Sequence, residues 1–510
     1  MSKHNFKYKG RNLLLASVKK EDLTPENVRK ILIDVLPKHN ENSRHIKELN
    51  EYRLGNQEIL RKTKTVRPDI NHIVVENYAY SIVDFKTNYV HGNPLSYVHK
   101  QINKEIKEND KLDDINELNA YMTQLGKQTL DKNLGQDRYT GGTGYRIVLP
   151  KNDQVPFEIH NLDPKHTGIV YSSGFRRQKL FAFTYSDFKD YKKNKWYRRY
   201  SVYTHNALYT YKTDHYGNGE YINYTDFNLH FEQQERHALG LIPIVEYELN
   251  EDRYGLVELI RTQQDALNHI TSSELDDLDQ FVQSLLVITN AQLPRDKDGK
   301  PVSLKGSSVL EITSKDKLQA EVELLSQQSD HTQLKVLHDR IHRAMMSIAG
   351  VPIMSDKNSS GGDTGQARLV GEGWTMADER AKSDEFTFER GEKELLELVL
   401  SICHKKGKLK TLTNDSIYIK FNRNRSDNLQ TKVQALQGLV STGIIAPEDA
   451  ISTSELFIDP IEVYRKGQEY AEEKSRKDFE LEVERQKVLQ QISNQEVIDI
   501  NKEEVNKGQE

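Results

Sequence analysis

The feature that most constrains this chain is a helical seam in residues 364–403. Ala367, Val370, Trp374, Ala377, Ala381, Phe388, Leu395, Leu398 and Ile402 recur in steps built from threes and fours, and only Asp384 and Gly391 interrupt the line. Asp363 or Thr364 stands where a helix cap belongs. At 1.5 Å per residue the seam runs about 60 Å, longer than a small domain is wide. The rest of the chain offers little to bury it. Of 510 residues, 36% are hydrophobic and 29% charged, and the mean hydropathy is -0.75. That is too hydrophilic for one large core, and it predicts two to four domains with an elongated shape or burial against other subunits.

Around the seam the pattern alternates. Residues 1–66 are charged and helix-biased, with Thr24-Pro25-Glu26 a good helix start. Residues 70–91 carry Ile73, Val74, Asn77, Tyr78, Ile82, Phe85 and Tyr89 at helical spacing up to Gly92-Asn93-Pro94, and a second helix is expected over about 98–130. From Gly141 to about Tyr247, β-branched and aromatic runs at 168–171, 180–185 and 200–203 predict antiparallel sheet. Residues 251–283 return to helix. Short strands are expected at 285–289 and 309–312, with a turn at Asp298-Gly299. A helix over 331–350 ends at Gly350-Val351-Pro352, and the Ser/Gly/Asp-rich 355–363 reads as a mobile loop. A strand over 416–421 follows, and the charge-dense last fifty residues are expected to fray into a polar tail. The fold class is α+β.

The chemistry on offer is mostly absent. A net charge of -5 excludes a generally basic nucleic-acid binder. The single Cys403 excludes a disulfide framework or a multi-cysteine metal centre. There is no P-loop and no G-x-S-x-G elbow, and Gly141-Gly142-Thr143-Gly144 lacks dinucleotide-binding spacing. No catalytic residue, cofactor or metal site is expected, and no membrane partner, since no apolar run approaches the ~20 residues that span a bilayer. The start of the chain has no apolar signal region. A reducing, aqueous compartment is the expectation.

Three patterns need weighing. His338 and His342 share a helix face with Asp339 between them, the one foothold for a metal-dependent DNA-processing enzyme, yet no third ligand is evident and a polar helix face is the plainer reading. Residues 191–200, Tyr-Lys-Lys-Asn-Lys-Trp-Tyr-Arg-Arg-Tyr, form a basic, aromatic strip that reads either as a hairpin exterior or as a nucleic-acid contact. Residues 251–283 hold eight acids (Glu251, Asp252, Glu258, Asp265, Glu274, Asp276, Asp277, Asp279) against Arg253 and Arg261, a local net charge of -6. Helix 331–350 carries Lys335, Arg340 and Arg343 against Asp339. Either these two helices pair, or the acidic one lines a surface that must not grip phosphate.

The order of these features resembles the portal (head-to-tail connector) family of long-tailed bacteriophages, siphophage type. Asp84-Phe85-Lys86-Thr87-Asn88-Tyr89-Val90-His91-Gly92-Asn93-Pro94 is similar to the family's D-x-K-T-x-Y-x-x-G-x-P. Leu162-Asp163-Pro164 leading to Ile169-Val170-Tyr171 resembles its next sheet element. Gln264-Asp265-Ala266-Leu267-Asn268, Ser272-Ser273 and Asp276 resemble its stem-helix entry, and Thr364-Gly365-Gln366-Ala367 the T-G-x-A that opens its long helix. Phe421-Asn422-Arg423 and Thr442-Gly443-Ile444-Ile445 resemble its crown entry. Arg368 stands where the family has an apolar residue, and the tail lacks the long acidic run some relatives carry.

The resemblance implies a portal fold: wing 1–250, stem helix 251–283, clip 284–330, stem helix 331–350, tunnel loop 351–363, long wing helix and returning strand 364–425, crown and tail 426–510. It implies a non-enzymatic dodecameric ring at one capsid vertex of the virion, assembled in the host cytoplasm, through which double-stranded DNA is packaged and ejected. Its expected partners are terminase, a head-completion or adaptor protein, and the major capsid and scaffolding proteins. Lys357, Asn358, Ser359 and Ser360 are then candidate transient DNA contacts, and Glu274, Asp276, Asp277 and Asp279 a candidate acidic channel lining that keeps the duplex off the wall.

Overall fold

The computed structural model describes residues 10–65, 67–99, 108–213, 228–237, 239–282, 285–289, 291–292, 313–314, 321–325, 331–353, 373–423, 429–441, 443, 445–447, 450–451, 456–457 and 460–507. Residues 354–363 of the expected tunnel loop, the Asp298-Gly299 turn, the 309–312 strand and the cap at Asp363 or Thr364 lie outside these residues. The chain divides into two compact units, one of residues 1–95 and 99–417, the other of 96–98 and 418–510.

The first unit opens with strand β1 (Leu14–Ala16) and helix α1 (Pro25–Arg53). The start of α1 is as expected: Pro25 occupies the first turn and the Thr24 hydroxyl accepts the Asn27 N–H. Helix α2 is Tyr78–His91, shorter than the expected 70–91, because residues 71–77 form no regular element and Asn77 is left-handed (φ 45°). After strand β2 (Ser96–His99), the expected helix over 98–130 is instead a pair, α3 (Glu108–Gln124) and α4 (Lys127–Gly141), broken by Gly126 at φ 64°.

The all-β stretch matches its pattern. It comprises β3 (Thr143–Pro150), β4 (Phe157–Leu162), β5 (Thr167–Ser172), β6 (Lys179–Asp190), β7 (Lys195–Tyr203), β8 (Ala207–Thr213), β9 (Leu229–Arg236) and β10 (Ile244–Glu248). These form a six-stranded sheet in the order β1-β5-β6-β7-β8-β9 and a three-stranded sheet in the order β10-β3-β4. All pairings are antiparallel except β1 with β5. Alternation along each strand gives the large sheet two apolar faces. One takes α1, burying Val28, Leu32, Val35 and Leu36 against Phe181, Phe183, Tyr200 and Tyr211. The other packs Ile169 and Ala182 on Tyr145, Ile147 and Ile244 of the small sheet.

Helix α5 (Leu256–Val282) leads to β11 (Leu285–Thr289) and β12 (Ala291–Gln292). These pair antiparallel with β14 (Glu321–Leu325) and β13 (Thr313–Ser314), and α6 (His331–Ala349) then packs along α5.

The long seam is α7 (Trp374–Lys405), 32 residues. It begins at Trp374 because Gly373 before it is left-handed (φ 80°). Ala377, Ala381, Phe388, Leu395, Leu398 and Ile402 are buried as the spacing predicts. Both interruptions of the seam have reasons. Asp384 receives Lys86 Nζ from α2 at 3.0 Å and Tyr139 Oη from α4 at 3.2 Å. Gly391 leaves room for the Tyr247 ring, which a Cβ there would meet at 2.7 Å. Next to it, fully buried Glu392 takes Lys127 Nζ at 2.9 Å and the Tyr247 hydroxyl at 3.0 Å, while Asp131 joins Lys127 and Arg146, each at 2.8 Å. Cys403 is buried near the helix end, and burial pushes its thiol up to about 12, which suits an inert packing residue.

In the second unit β15 (Ile417–Lys420) pairs with β2, followed by α8 (Leu429–Ser441) and α9 (Pro460–Lys507). The last fifty residues thus form one 48-residue helix up to Lys507 rather than a frayed tail. Arg465–Glu469 at 2.9 Å and Glu473–Lys477 at 2.7 Å are spaced to support it.

Gly391→Ala separates packing from helix propensity. Alanine raises intrinsic helix stability by about 1 kcal/mol, yet its methyl displaces Tyr247 from Glu392. A lower melting temperature by scanning fluorimetry is expected, and a rise would show that α7 docks without that contact. Glu392→Ala leaves Lys127 and Arg146 buried with Asp131 alone, and should cost about 3–5 kcal/mol, seen as an earlier unfolding midpoint in urea.

Candidate functional site

Four polar residues, Gln264, Asn268, Ser272 and Asp276, stand four apart on α5 and are all buried. On a helix that spacing makes one line, each step advancing about 6 Å. An extended chain advances nearly the same distance every two residues. Residues 72–76 use this match. The His72 N–H donates to Asp276 Oδ1 at 2.6 Å, the Val74 N–H to Ser272 Oγ at 3.0 Å and the Glu76 N–H to Asn268 Oδ1 at 3.1 Å. Asn268 also donates to Gln57 Oε1 at 2.5 Å and accepts from Gln264 Nε2 at 3.0 Å. The apolar spacing at 70–77 predicts a helix, whereas the polar line on α5 holds those residues out as a strap.

The strap joins α5 to α6. Glu76 receives the Thr271 hydroxyl from α5 and lies 3.1 Å and 3.2 Å from His338 Nε2 on α6. The His342 ring packs on Tyr78 with centroids 4.6 Å apart. Burial, then the neighbouring Glu76 carboxylate, push the Tyr78 hydroxyl up to about 12, while burial and the nearby His338 lower the His342 pKa. The histidine pair of the sequence is therefore turned onto the strap. Among the described residues no group of three or more His, Cys, Asp or Glu is arranged to hold a metal ion, and no helix is long and apolar enough to cross a membrane.

The acids of α5 divide. Glu258 is buried against Arg11 at 2.5 Å. Asp265 accepts the Tyr52 hydroxyl at 2.7 Å, and burial raises its pKa. Asp276 meets Lys62 Nζ at 2.8 Å and also Lys64. Burial opposes its charge, but the two lysines and the His72 N–H outweigh that and hold the carboxyl down at about 2. Asp279 lies 2.7 Å from His72 Nε2 and is half exposed. Glu274 is partly exposed and Asp277 exposed. The acidic helix does pair with α6, but the charged partners of Glu258, Asp276 and Asp279 come from residues 11–72. Asp276 is corrected as a channel-lining residue, since it is buried and neutralised inside its own chain. Lys357, Asn358, Ser359 and Ser360 lie outside the described residues.

Sequence comparison bears on what this helix pair belongs to. A family model described as "Phage portal protein, SPP1 Gp6-like" matches residues 34–477, through the sheets, α5, α6 and α7. The chain belongs to the SPP1 Gp6-like phage portal family. As a member it is a phage portal protein, a structural component of the virion. The portal protein of Bacillus phage SPP1 is 23% identical over 434 residues, 83% of this chain and 80% of that one. A solved structure, the neck of an empty GTA particle, matches 75% of this chain and 91% of its own at 12% identity with a TM-score of 0.38.

In this portal chain the D-x-K-T motif of α2 docks the long helix: Lys86 binds Asp384, and Tyr89 stacks on Phe85 beside Trp374. The residues that reading by sequence missed are Gln57, Lys62 and Lys64. The available signal was the four-residue spacing of polar side chains at 264–276, where an apolar face would otherwise be expected.

Two outcomes test the strap. Asn268→Ala leaves the Glu76 N–H and the Gln57 and Gln264 side chains without that partner, at about 1–3 kcal/mol per stranded group, so amide exchange over 72–76 should accelerate while α1 is unchanged. Because the folded Asp276 pKa lies below its ordinary 3.8, its stabilisation is complete above that value and is lost as pH falls toward about 2. Asp276→Asn should therefore flatten the acid limb of the stability profile between those limits, and an unaltered limb would refute the pairing.

Proposed function

We propose that this portal protein assembles into a dodecameric ring whose central channel passes double-stranded DNA during packaging and ejection, and to which the tail machinery is joined. The observation that carries the reading is the family match running unbroken over residues 34–477, through α5, the strand pairs at 285–325 and α6. In this reading α5 and α6 are the stem, residues 284–330 the clip that meets terminase and then the head-completion protein, 351–363 the tunnel loop, and 426–510 the crown and tail. Capsid and scaffolding proteins contact the outer surface, and assembly takes place in the host cytoplasm.

The physical requirement is weak holding. Duplex DNA carries one charge per ~1.7 Å of axis, so a basic wall would arrest it. Glu274 and Asp279, partly exposed, and Asp277, exposed, stand near the end of α5 and supply the repulsion, and Lys357, Asn358, Ser359 and Ser360 supply brief contacts from the loop. The protein supports the packaging motor without hydrolysing nucleotide itself.

Electron microscopy with native mass measurement of purified protein should give closed rings of twelve subunits with a hole wide enough for a duplex. Monomers alone at high concentration would overturn the reading, as would stoichiometric zinc in the same sample. Glu274→Lys with Asp277→Lys should leave rings intact and slow DNA packaging in vitro. An unchanged packaging rate would remove the repulsive wall.

A further inference from the structure

The basic, aromatic strip at 191–200 takes no part in the portal geometry above. It forms the far end of the β6–β7 hairpin, which runs out beyond the β5 and β8 pairings of the six-stranded sheet. Strands β6 and β7 stay in register from Ala182 opposite Tyr203 out to Asp190 opposite Lys195. Near its base the ribbon is covered by α1 on one face and by the small sheet on the other. Toward its end the cover stops: Ser186, Asp187, Lys192, Lys193, Lys195, Trp196 and Arg199 are exposed.

The tip is built rather than loose. Asp190 Oδ1 accepts the N–H groups of Lys192 at 2.9 Å and Lys193 at 3.2 Å, and Asn194 takes the left-handed conformation (φ 50°) that closes the turn. Arg198 is buried and held by Asp187 at 2.6 Å and 2.9 Å. Arg199 pairs with Glu232 at 3.1 Å. Lys189, Lys192, Lys193 and Lys195 differ: among the described residues no carboxylate lies within ion-pair distance of them. Residues 189–196 thus carry four lysines against Asp190, a charge of +3 on a chain whose total is -5. Two rings lie among them, Tyr191 at 86% exposure and Trp196 at 40%, with Lys189 Nζ 5.8 Å from the Tyr191 centroid.

We propose that this ribbon tip is a DNA contact outside the channel, gripping duplex phosphates through Lys189, Lys192, Lys193 and Lys195. Unpaired like charges held on a rigid turn attract a partner with regular negative charge. A protein partner would want an apolar centre depleted of lysine, whereas contacts to DNA are polar and strongly positive. The portal reading enters only in making DNA the polyanion within reach.

The test is binding of a fluorescent 30-base-pair duplex to the full-length protein across a salt series, with rings checked by microscopy. Replacing the four lysines with alanine should weaken binding about tenfold or more and make the plot of log affinity against log salt shallower by roughly 3 to 4 units. Replacing all four with arginine should restore both. Equal affinity and slope in the alanine variant would overturn the proposal. So would displacement of the duplex by polyglutamate at equal charge concentration, which would point to an acidic protein instead. Failure to form rings would count against the portal reading, while a lysine-dependent salt slope in the same sample would still uphold the tip.

Discussion

A buried carboxylate in the middle of a long helix sets terms for everything packed around it. Glu392 has no exposure to water, and an uncompensated charge there would be untenable. The answer comes from three elements at once: Lys127 on α4, Arg146 on β3 and the Tyr247 hydroxyl on β10, with Asp131 balancing the two cations. Eight residues earlier, Asp384 makes the same demand and is met by Lys86 on α2 and Tyr139 on α4, while Arg138 holds its backbone carbonyl at 2.7 Å. Two carboxylates about two turns apart therefore fix both the height and the rotation of α7. A purely apolar seam would let the helix slide by a turn with little loss. This one cannot, because a shift would part Glu392 from Lys127 and Arg146 and Asp384 from Lys86.

The same logic operates on α5, with backbone amides as the groups to be satisfied. A strap of extended backbone has donors that helix and sheet ladders would normally satisfy, and here a line of Asn, Ser and Asp on a helix satisfies them instead. The fit depends on the near equality of one helical step of four residues and two strand residues. It binds the chain before α2 to the middle of α5. Through Glu76 and His338 it reaches α6 as well, so the root of the helix pair is held by a segment some two hundred residues away in sequence.

These devices explain what could be read from sequence. Periodicity recovered α5 and the buried face of α7, since burial of an apolar stripe imposes its spacing directly. The cap at Thr24 was legible for the same reason: its chemistry is local. The strap at 72–77 was not, because Ile73, Val74 and Tyr78 fit a helical period while the polar groups that hold the segment extended lie elsewhere in the chain. Strand β1 was missed because three residues carry no period and its parallel partner β5 is remote. Asp384 and Gly391 looked like flaws in a seam and are its two fixed points. Of the candidate acids, the sequence showed the charge and not its neutralisation, since Lys62 and Lys64 lie far from Asp276 in order and beside it in space.

That neutralisation gives the helix a direction. Once Asn268, Ser272 and Asp276 face the strap, the 100° rotation per residue turns Glu274 roughly 160° from Asp276 and sets Asp277 about 60° from Glu274. Glu274 and Asp277 thus share the side away from the strap, and Leu278, half exposed, stands about 40° from Glu274. A surface of that kind is poor for solvent alone and poor for burial alone. The strap, by taking one face of α5 completely, decides which residues remain for the assembly.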